Sequence, residues 1–363
     1  MSRLTANSIV MIIGFVLIGA ITVKQFEAGF YLSLLGAVLH GLVTAFGEST
    51  IFGMLKGYPS RLVGAFCSGT GFAGVVGAGL FIALKPVMSD GVIFFIVTPF
   101  SFLYFFNLLL LTRRKAKYPF VEENPEAEER AKTIRSSGFI RGESGSVNED
   151  EENQDNVDVA SEVSGIEIGD DASRNIPMNW ENAKLIFRKA GWYIMNLFMV
   201  YFFEYSCITS FANIYANKLK DEAEVNDSLN ENSVFIKDGF IVFSFCYQLG
   251  VLISRSSLDL VKIRRVEILT FLQFINFTFF LVNTQFFFMK NFYVMYVWMI
   301  FVGLMGGCSY VNIMYLMINS QTLKKKEKEL SVMVIGISND MGILLAGVFS
   351  LILANTLFID DVE

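Results

Sequence analysis

Histidine, cysteine and proline are scarce in these 363 residues, at one, four and six. A lone histidine, His40, excludes a histidine-cluster metal centre or a membrane di-iron enzyme, which need several such ligands. Cys67, Cys207, Cys246 and Cys308 lie in four different apolar runs, and no pair has C-x-x-C spacing. Neither a zinc site nor a disulfide framework is expected, and the four read as small buried hydrophobes. Charge is scarce too: 18% of residues are Asp, Glu, Lys or Arg, where a soluble domain carries about 25%. No nucleophile–base pair is recognisable, and His40 is a poor base inside a Gly- and Leu-rich run. An enzyme is therefore not expected, nor is a cofactor, a metal or a nucleic-acid partner.

What is present is hydrophobic: 53% of the chain, with 37 Phe. Crossing a hydrocarbon core takes about 20 apolar residues per helix. Runs of that length lie at about 6–23, 28–55, 62–84, 91–111, 189–215, 234–254, 266–288, 291–319 and 330–357. The expected fold is an all-α polytopic membrane protein of about nine spans, its chief partner the lipid bilayer. The second and eighth runs are long enough to be tilted or broken. The first follows Met1–Leu4 directly, without a small-residue cleavage pattern, and reads as a span rather than a signal peptide.

Between the fourth and fifth runs the character changes. Residues 142–171 hold eleven acidic and no basic residues, more than the formal net charge of −6 for the whole chain, so the remainder is net basic. Such an acidic, Ser/Asn-rich stretch cannot bury enough surface to fold, and disorder is expected there. The layout reads as an N-terminal half (1–111), an acidic cytosolic loop (112–184) and a C-terminal half (185–363), like two transporter halves joined by a linker.

Basic residues in the short loops set orientation. One side receives Arg3, Lys56, Arg61, Arg113, Arg114, Lys115, Lys262, Arg264, Arg265 and the Lys324–Lys328 cluster. The other receives Lys24, Lys85, Lys218, Lys220, Lys237 and Lys290. The first side, with the N-terminus and acidic loop, is expected to be cytosolic. This puts the sequon at Asn226 on the lumenal side, open to glycosylation, and buries that at Asn276 within a span. Tyr118-Pro119-Phe120-Val121 is a Tyr-x-x-apolar tetrapeptide, a sorting signal read by adaptor proteins, and Tyr118 and Val121 carry it.

Ionisable groups inside spans cost several kcal/mol and default to functional candidates. Glu204 stands foremost, mid-span among Tyr201, Phe202, Phe203 and Tyr205, with Tyr201 sharing its face. It is read as a proton-exchanging carboxyl or as a permanently paired one. Glu48 and Asp340, beside Asn339, come next. Arg255 ends the sixth run among serines, and its planar fork of donors suits a phosphodiester. Ser68, Thr70, Gln248, Tyr310 and Asn312 supply further polar atoms at span depth, for substrate or for helix-to-helix bonding. Gly69-x-Gly71-x-x-Gly74, followed by Asp90, matches a dinucleotide fingerprint, but no strand precedes it and a span continues through it. Gly71, Gly74, Gly77 and Ala78 are instead expected to allow close helix packing.

Several blocks occur together in order: Gly47-Glu48-Ser49-Thr50, Tyr58-Pro59, Ser68–Gly74, Trp192-Tyr193, Tyr201–Tyr205, Tyr247–Gly250, Ser254–Leu258, Ile263-Arg264, Gly306–Asn312 and Ile337–Gly342. From about residue 36 to 350 the chain resembles the battenin family, the lysosomal membrane proteins of Batten disease and their fungal vacuolar relatives. The resemblance implies a major-facilitator-like bundle of eleven spans, of which this chain is read as beginning at the third. It also implies a lysosomal or vacuolar address, and export of a small polar metabolite such as a glycerophosphodiester. Links to lumenal pH and basic amino-acid pools come with it. In facilitator-type transporters basic residues between paired spans act as conformational latches, an alternative role for Arg255. A non-transporting scaffold that recruits trafficking or pH-regulating partners through the acidic loop is the competing function. Convergence of Glu48, Glu204, Asn312 and Asp340 on one cavity favours transport, and separate pairing favours the scaffold.

Overall fold

The computed structural model describes residues 2–24, 28–55, 60–117, 179–226, 234–258 and 260–358, and every regular element among them is helical. In chain order they are α1 (Ser2–Val23), α2 (Gly29–Leu55), α3 (Ser60–Leu84), α4 (Asp90–Lys117) and α5 (Trp180–Ser206). A π-helical turn, Cys207–Phe211, leads into α6 (Ala212–Asn226). Then come α7 (Val234–Lys237), α8 (Gly239–Ser256), α9 (Val266–Phe286), α10 (Phe292–Ile318) and α11 (Lys325–Ala354). Nine described segments are long and apolar enough to cross a membrane, with α5, the π turn and α6 forming one of them. The protein is a polytopic helical membrane protein.

Boundaries follow local chemistry. Asn179 caps α5, its side chain accepting from Asn182 N at 2.8 Å, so the helix begins nine residues before the apolar run at 189 and carries the mixed stretch Trp180–Arg188 with it. Asn291 caps α10 in the same manner. At the end of α9, Phe287 takes a left-handed conformation (φ 46°), and Asn283 Oδ1 accepts from Met289 N at 2.8 Å, tying down the reversal. The two long runs expected to tilt or break, α2 and α10, are unbroken. The break falls instead at Asp238, between α7 and α8.

Met1–Thr112 and Ile176–Glu363 group into one compact unit and Arg113–Asn175 into another; the described residues of the second, Arg113–Lys117, are the last turns of α4. Within the first unit, glycine sets which helices touch. A Cβ on Gly250 of α8 would stand 2.1 Å from Ile300 O, and one on Gly303 of α10 2.1 Å from Tyr247 O. The α8 and α10 backbones are therefore in direct contact, as small residues permit in membranes. Along α3, a Cβ on Gly71 would meet Leu252 Cα at 2.9 Å and one on Gly74 would meet Gln248 Oε1 at 2.1 Å, so this stripe seats α3 on α8. Gly77 was expected to share that role but faces open space. Parallel α5 and α11 are pinned by Ser338 Oγ donating to Ile194 O at 2.9 Å and by Gly342 lying under Phe198 O and Tyr201.

Two apolar clusters result. One joins Leu197, Val200 and Tyr201 to Tyr310, Met314 and Ile335. The other joins Phe211 and Tyr215 to Phe243, Phe280, Met295 and Met299. Of the cysteines, Cys67 and Cys207 are buried, while Cys246 and Cys308 are only partly so; all four are free. Phe30, Phe102 and Val297, more than half exposed, point outward, the arrangement that a hydrocarbon surround permits.

Candidate functional site

Arg255 organises the polar interior. From the last turn of α8 its side chain turns inward, toward α3, α5 and α10. Nη1 donates to Thr70 Oγ1 on α3 at 2.6 Å, and Nη2 donates to Tyr201 OH on α5 at 3.2 Å. The guanidinium carbon lies 4.3 Å from the centre of the Tyr310 ring on α10. A desolvated cation over an aromatic face is worth about 2 kcal/mol or more. The Tyr310 hydroxyl donates to Glu48 Oε1 on α2. One arginine thus gathers hydroxyls and a carboxylate from α2, α3, α5 and α10 onto α8. Its Nε is buried and has no hydrogen-bond partner among the described residues.

Glu204 sits one turn beyond Tyr201 on α5, 1% exposed. Its Oε1 accepts from Tyr247 OH at 2.6 Å, and Oε2 is buried without a partner among the described residues. Room for this carboxyl comes from Gly306, where a Cβ would stand 2.0 Å from Oε1. Tyr247 and Arg255 lie two turns apart on one face of α8, and α5 runs antiparallel to it. The pairs Glu204–Tyr247 and Tyr201–Arg255 are therefore successive rungs between two helices.

Glu48 and Tyr310 also line a cavity of about 330 Å³ between α2, α10 and α11, together with Asn339 and Asp340. Asn339 Nδ2 donates to Asp340 Oδ1 at 3.3 Å, and Asn339 Oδ1 is buried with no partner among the described residues. Two carboxyl-bearing residues thus line one space beside the arginine cluster.

Other predicted positions are used differently. Ser68 and Ser256 share a 2.7 Å hydrogen bond between α3 and α8, and Gln248 lies over Gly74. Asn312 is committed to structure: its Oδ1 accepts from Ile263 N at 2.7 Å and its Nδ2 donates to Cys308 O at 2.9 Å. His40 stands edge-on to Phe15 across α1 and α2. Asn276 is fully buried and bonded to Gln273 and Trp298. Tyr118 and Val121 lie outside the described residues, as do Asp227 and Ser228 of the sequon that begins at Asn226, the last residue of α6.

A family model described as "CLN3 protein" matches residues 1–359. The chain belongs to the CLN3 protein family. Among its relatives, battenin of Dictyostelium discoideum is 31% identical over 99% of this chain and 80% of its own length. Protein BTN1 of Yarrowia lipolytica is 28% identical over 94% and 77%. Battenin of Canis lupus familiaris is 27% identical over 94% and 69%. The site of this CLN3-family chain includes one residue that sequence reasoning left out, Tyr247, the partner of Glu204. Its spacing of eight residues before Arg255, two turns on one face, is the signal that identifies it.

Proposed function

We propose that this protein is a secondary transporter of the lysosomal or vacuolar membrane, working by alternating access between its N-terminal and C-terminal helices. Its cargo is a small polar metabolite of phospholipid breakdown, a glycerophosphodiester, moved out of an acidic lumen with protons as the coupling ion. The amino terminus and acidic loop face the cytosol, in keeping with the lysine and arginine excess on that side, and loss of the activity disturbs organelle homeostasis and pH.

One observation carries this reading: Arg255 binds Thr70 and Tyr201 and stacks on Tyr310, whose hydroxyl meets Glu48 at the edge of a cavity also lined by Asp340. A guanidinium fork is the geometry that recognises a phosphodiester. Its present partners are neutral hydroxyls, which an anion displaces readily. Carboxyls in the adjoining cavity are the groups to carry protons, and Glu204, bonded to Tyr247, is a third. Contacts that join first-half to second-half helices at such a site are those that alternating access must break and remake.

The test is uptake of labelled glycerophosphodiester into proteoliposomes under an imposed pH gradient. Wild type is expected to show saturable, gradient-stimulated flux. Arg255→Gln abolishes it, while Glu48→Gln and Glu204→Gln leave flux that no longer responds to the gradient. Proton dependence unchanged in Glu204→Gln removes that residue from the mechanism. Absence of flux in wild type supports the second reading, a membrane scaffold acting through its acidic loop, which the private pairing of Glu204 and Asn312 favours.

A further inference from the structure

Away from that site, α5 and α11 leave a second, larger groove of about 800 Å³ on the outer surface of the bundle. Phe187, Met195, Phe198, Val334 and Met341 form its walls, and several of these face outward, Phe187 and Met195 at 50% exposure and Met341 at 45%. In a membrane protein such a surface meets hydrocarbon. Its mouth differs. At the start of α5 it is edged by Trp180, 84% exposed, a side chain suited to the headgroup level, and by Lys184. Arg188 stands one turn further along the same edge by helical spacing. Neither cation has an ion pair or hydrogen bond among the described residues, whereas the neighbouring Lys189 is bonded to both oxygens of Glu327. The α11 wall enters the membrane from the same end through Lys324–Lys328.

We propose that this groove is a binding site for one anionic phospholipid, its phosphate on Lys184 and Arg188 and an acyl chain lying between α5 and α11. Dimensions agree. From Lys184 to Phe198 the groove runs about 21 Å along α5 at ~1.5 Å per residue, somewhat more than one leaflet of a ~30 Å hydrocarbon core. Charge agrees, because two cations without an ion pair among the described residues, beside an apolar channel, match an anionic headgroup with its tail. A free phosphate would use the cations and leave the channel unfilled. Ile337 lines both this groove and the cavity of Glu48 and Asp340, so a bound lipid presses on the helix that walls the polar cavity.

The proposal is tested on the full-length protein, reconstituted in mixed phosphatidylcholine and phosphatidylserine, extracted in detergent and weighed by native mass spectrometry. Wild type is expected to retain phosphatidylserine in preference to phosphatidylcholine. The Lys184→Gln/Arg188→Gln pair weakens that retention about thirtyfold, at ~1 kcal/mol per basic residue and ~1.4 kcal/mol per decade. Ala183→Phe, which fills the groove while keeping both cations, removes it as well, and Lys237→Gln at the opposite membrane face leaves it intact. Equal retention of the two lipids by wild type overturns the proposal. So does undiminished phosphatidylserine retention in the double variant, or displacement of the lipid by inorganic phosphate alone. Both cations are exposed, so the double variant folds and its thermal melting matches wild type.

Discussion

Tyr310 holds two jobs with two parts of one side chain: its ring carries the Arg255 guanidinium and its hydroxyl serves Glu48. Tyr310→Phe separates them, keeping the ring and stripping the donor from a carboxylate in a confined space. The expected cost is about 1–3 kcal/mol, the penalty of leaving such a group unsatisfied, seen as a lowered thermal midpoint in detergent. In Glu48→Gln the same tyrosine change costs less, and a double-mutant cycle reads the difference as coupling of about 1 kcal/mol. Equal costs in both backgrounds contradict the pairing. At this scale the sequence was informative about which residues matter and silent about who meets whom. Glu204 and Arg255 stand out because a charge in an apolar run needs a reason. Tyr201 was read as sharing the face of Glu204; in the folded chain it bonds Arg255, and Tyr247 takes Glu204. Side-chain length and the antiparallel register of α5 and α8 decide that, and neither is written in a single helix.

For whole helices the reading was closer, because twenty apolar residues in lipid have one way to satisfy their backbone. Every expected span is helical, with departures where a polar cap rather than hydropathy sets the start, as at Asn179, or where a turn divides the run, as at Asp238. Contacts between helices were legible only in part. The α3 stripe packs through Gly71 and Gly74, but the closest approach, α8 on α10, rests on Gly250, Gly303 and Gly307, which hydropathy does not distinguish from their neighbours. Gly303→Leu is expected to push the two helices apart, since even its first carbon would overlap the Tyr247 carbonyl. The cost exceeds the 1–3 kcal/mol usual for overpacking. Gly347→Leu, at a position with open space around it, is the matched control. Thermal melting of the two in detergent checks the contrast, and comparable stability would show that the α8–α10 contact is loose.

Across the whole molecule, ion pairs fasten the two membrane faces. Lys85, after α3, meets Asp238, before α8, at 2.9 Å. At the other face Lys189 of α5 donates to both oxygens of Glu327 at 2.8 and 2.6 Å, and Lys324 N donates to Glu327 Oε2 at 3.0 Å. Burial alone would raise the Glu327 carboxyl, but the lysine and the backbone donor outweigh it and hold the group below the usual carboxylate range. A lowered folded-state value means that the pair stabilises the protein above the unfolded carboxylate range, near pH ~4.3, and that this is lost as pH falls through the folded value. Glu327→Gln is therefore expected to be less stable than wild type at neutral pH by about 1 kcal/mol, the partly exposed lysine being screened. Melting curves taken from neutral pH downward should draw together as the Glu327 carboxyl is protonated in the folded protein; a gap that stays constant down to the acid limit of folding contradicts the linkage.

The π turn at Cys207–Phe211 falls where one apolar cluster ends, at Tyr201, and the other begins, at Cys207. Each residue of an α-helix advances the wheel by about 100°, so a wider turn resets the phase of α6 relative to α5. The longest rod in the bundle is consequently two spindles on one axle. Its lower part is geared to the helices that carry Arg255 and Asp340, its upper part to the aromatic cluster around Phe280. An uninterrupted α-helix of the same sequence would turn Tyr215 to a different side of the rod relative to Glu204.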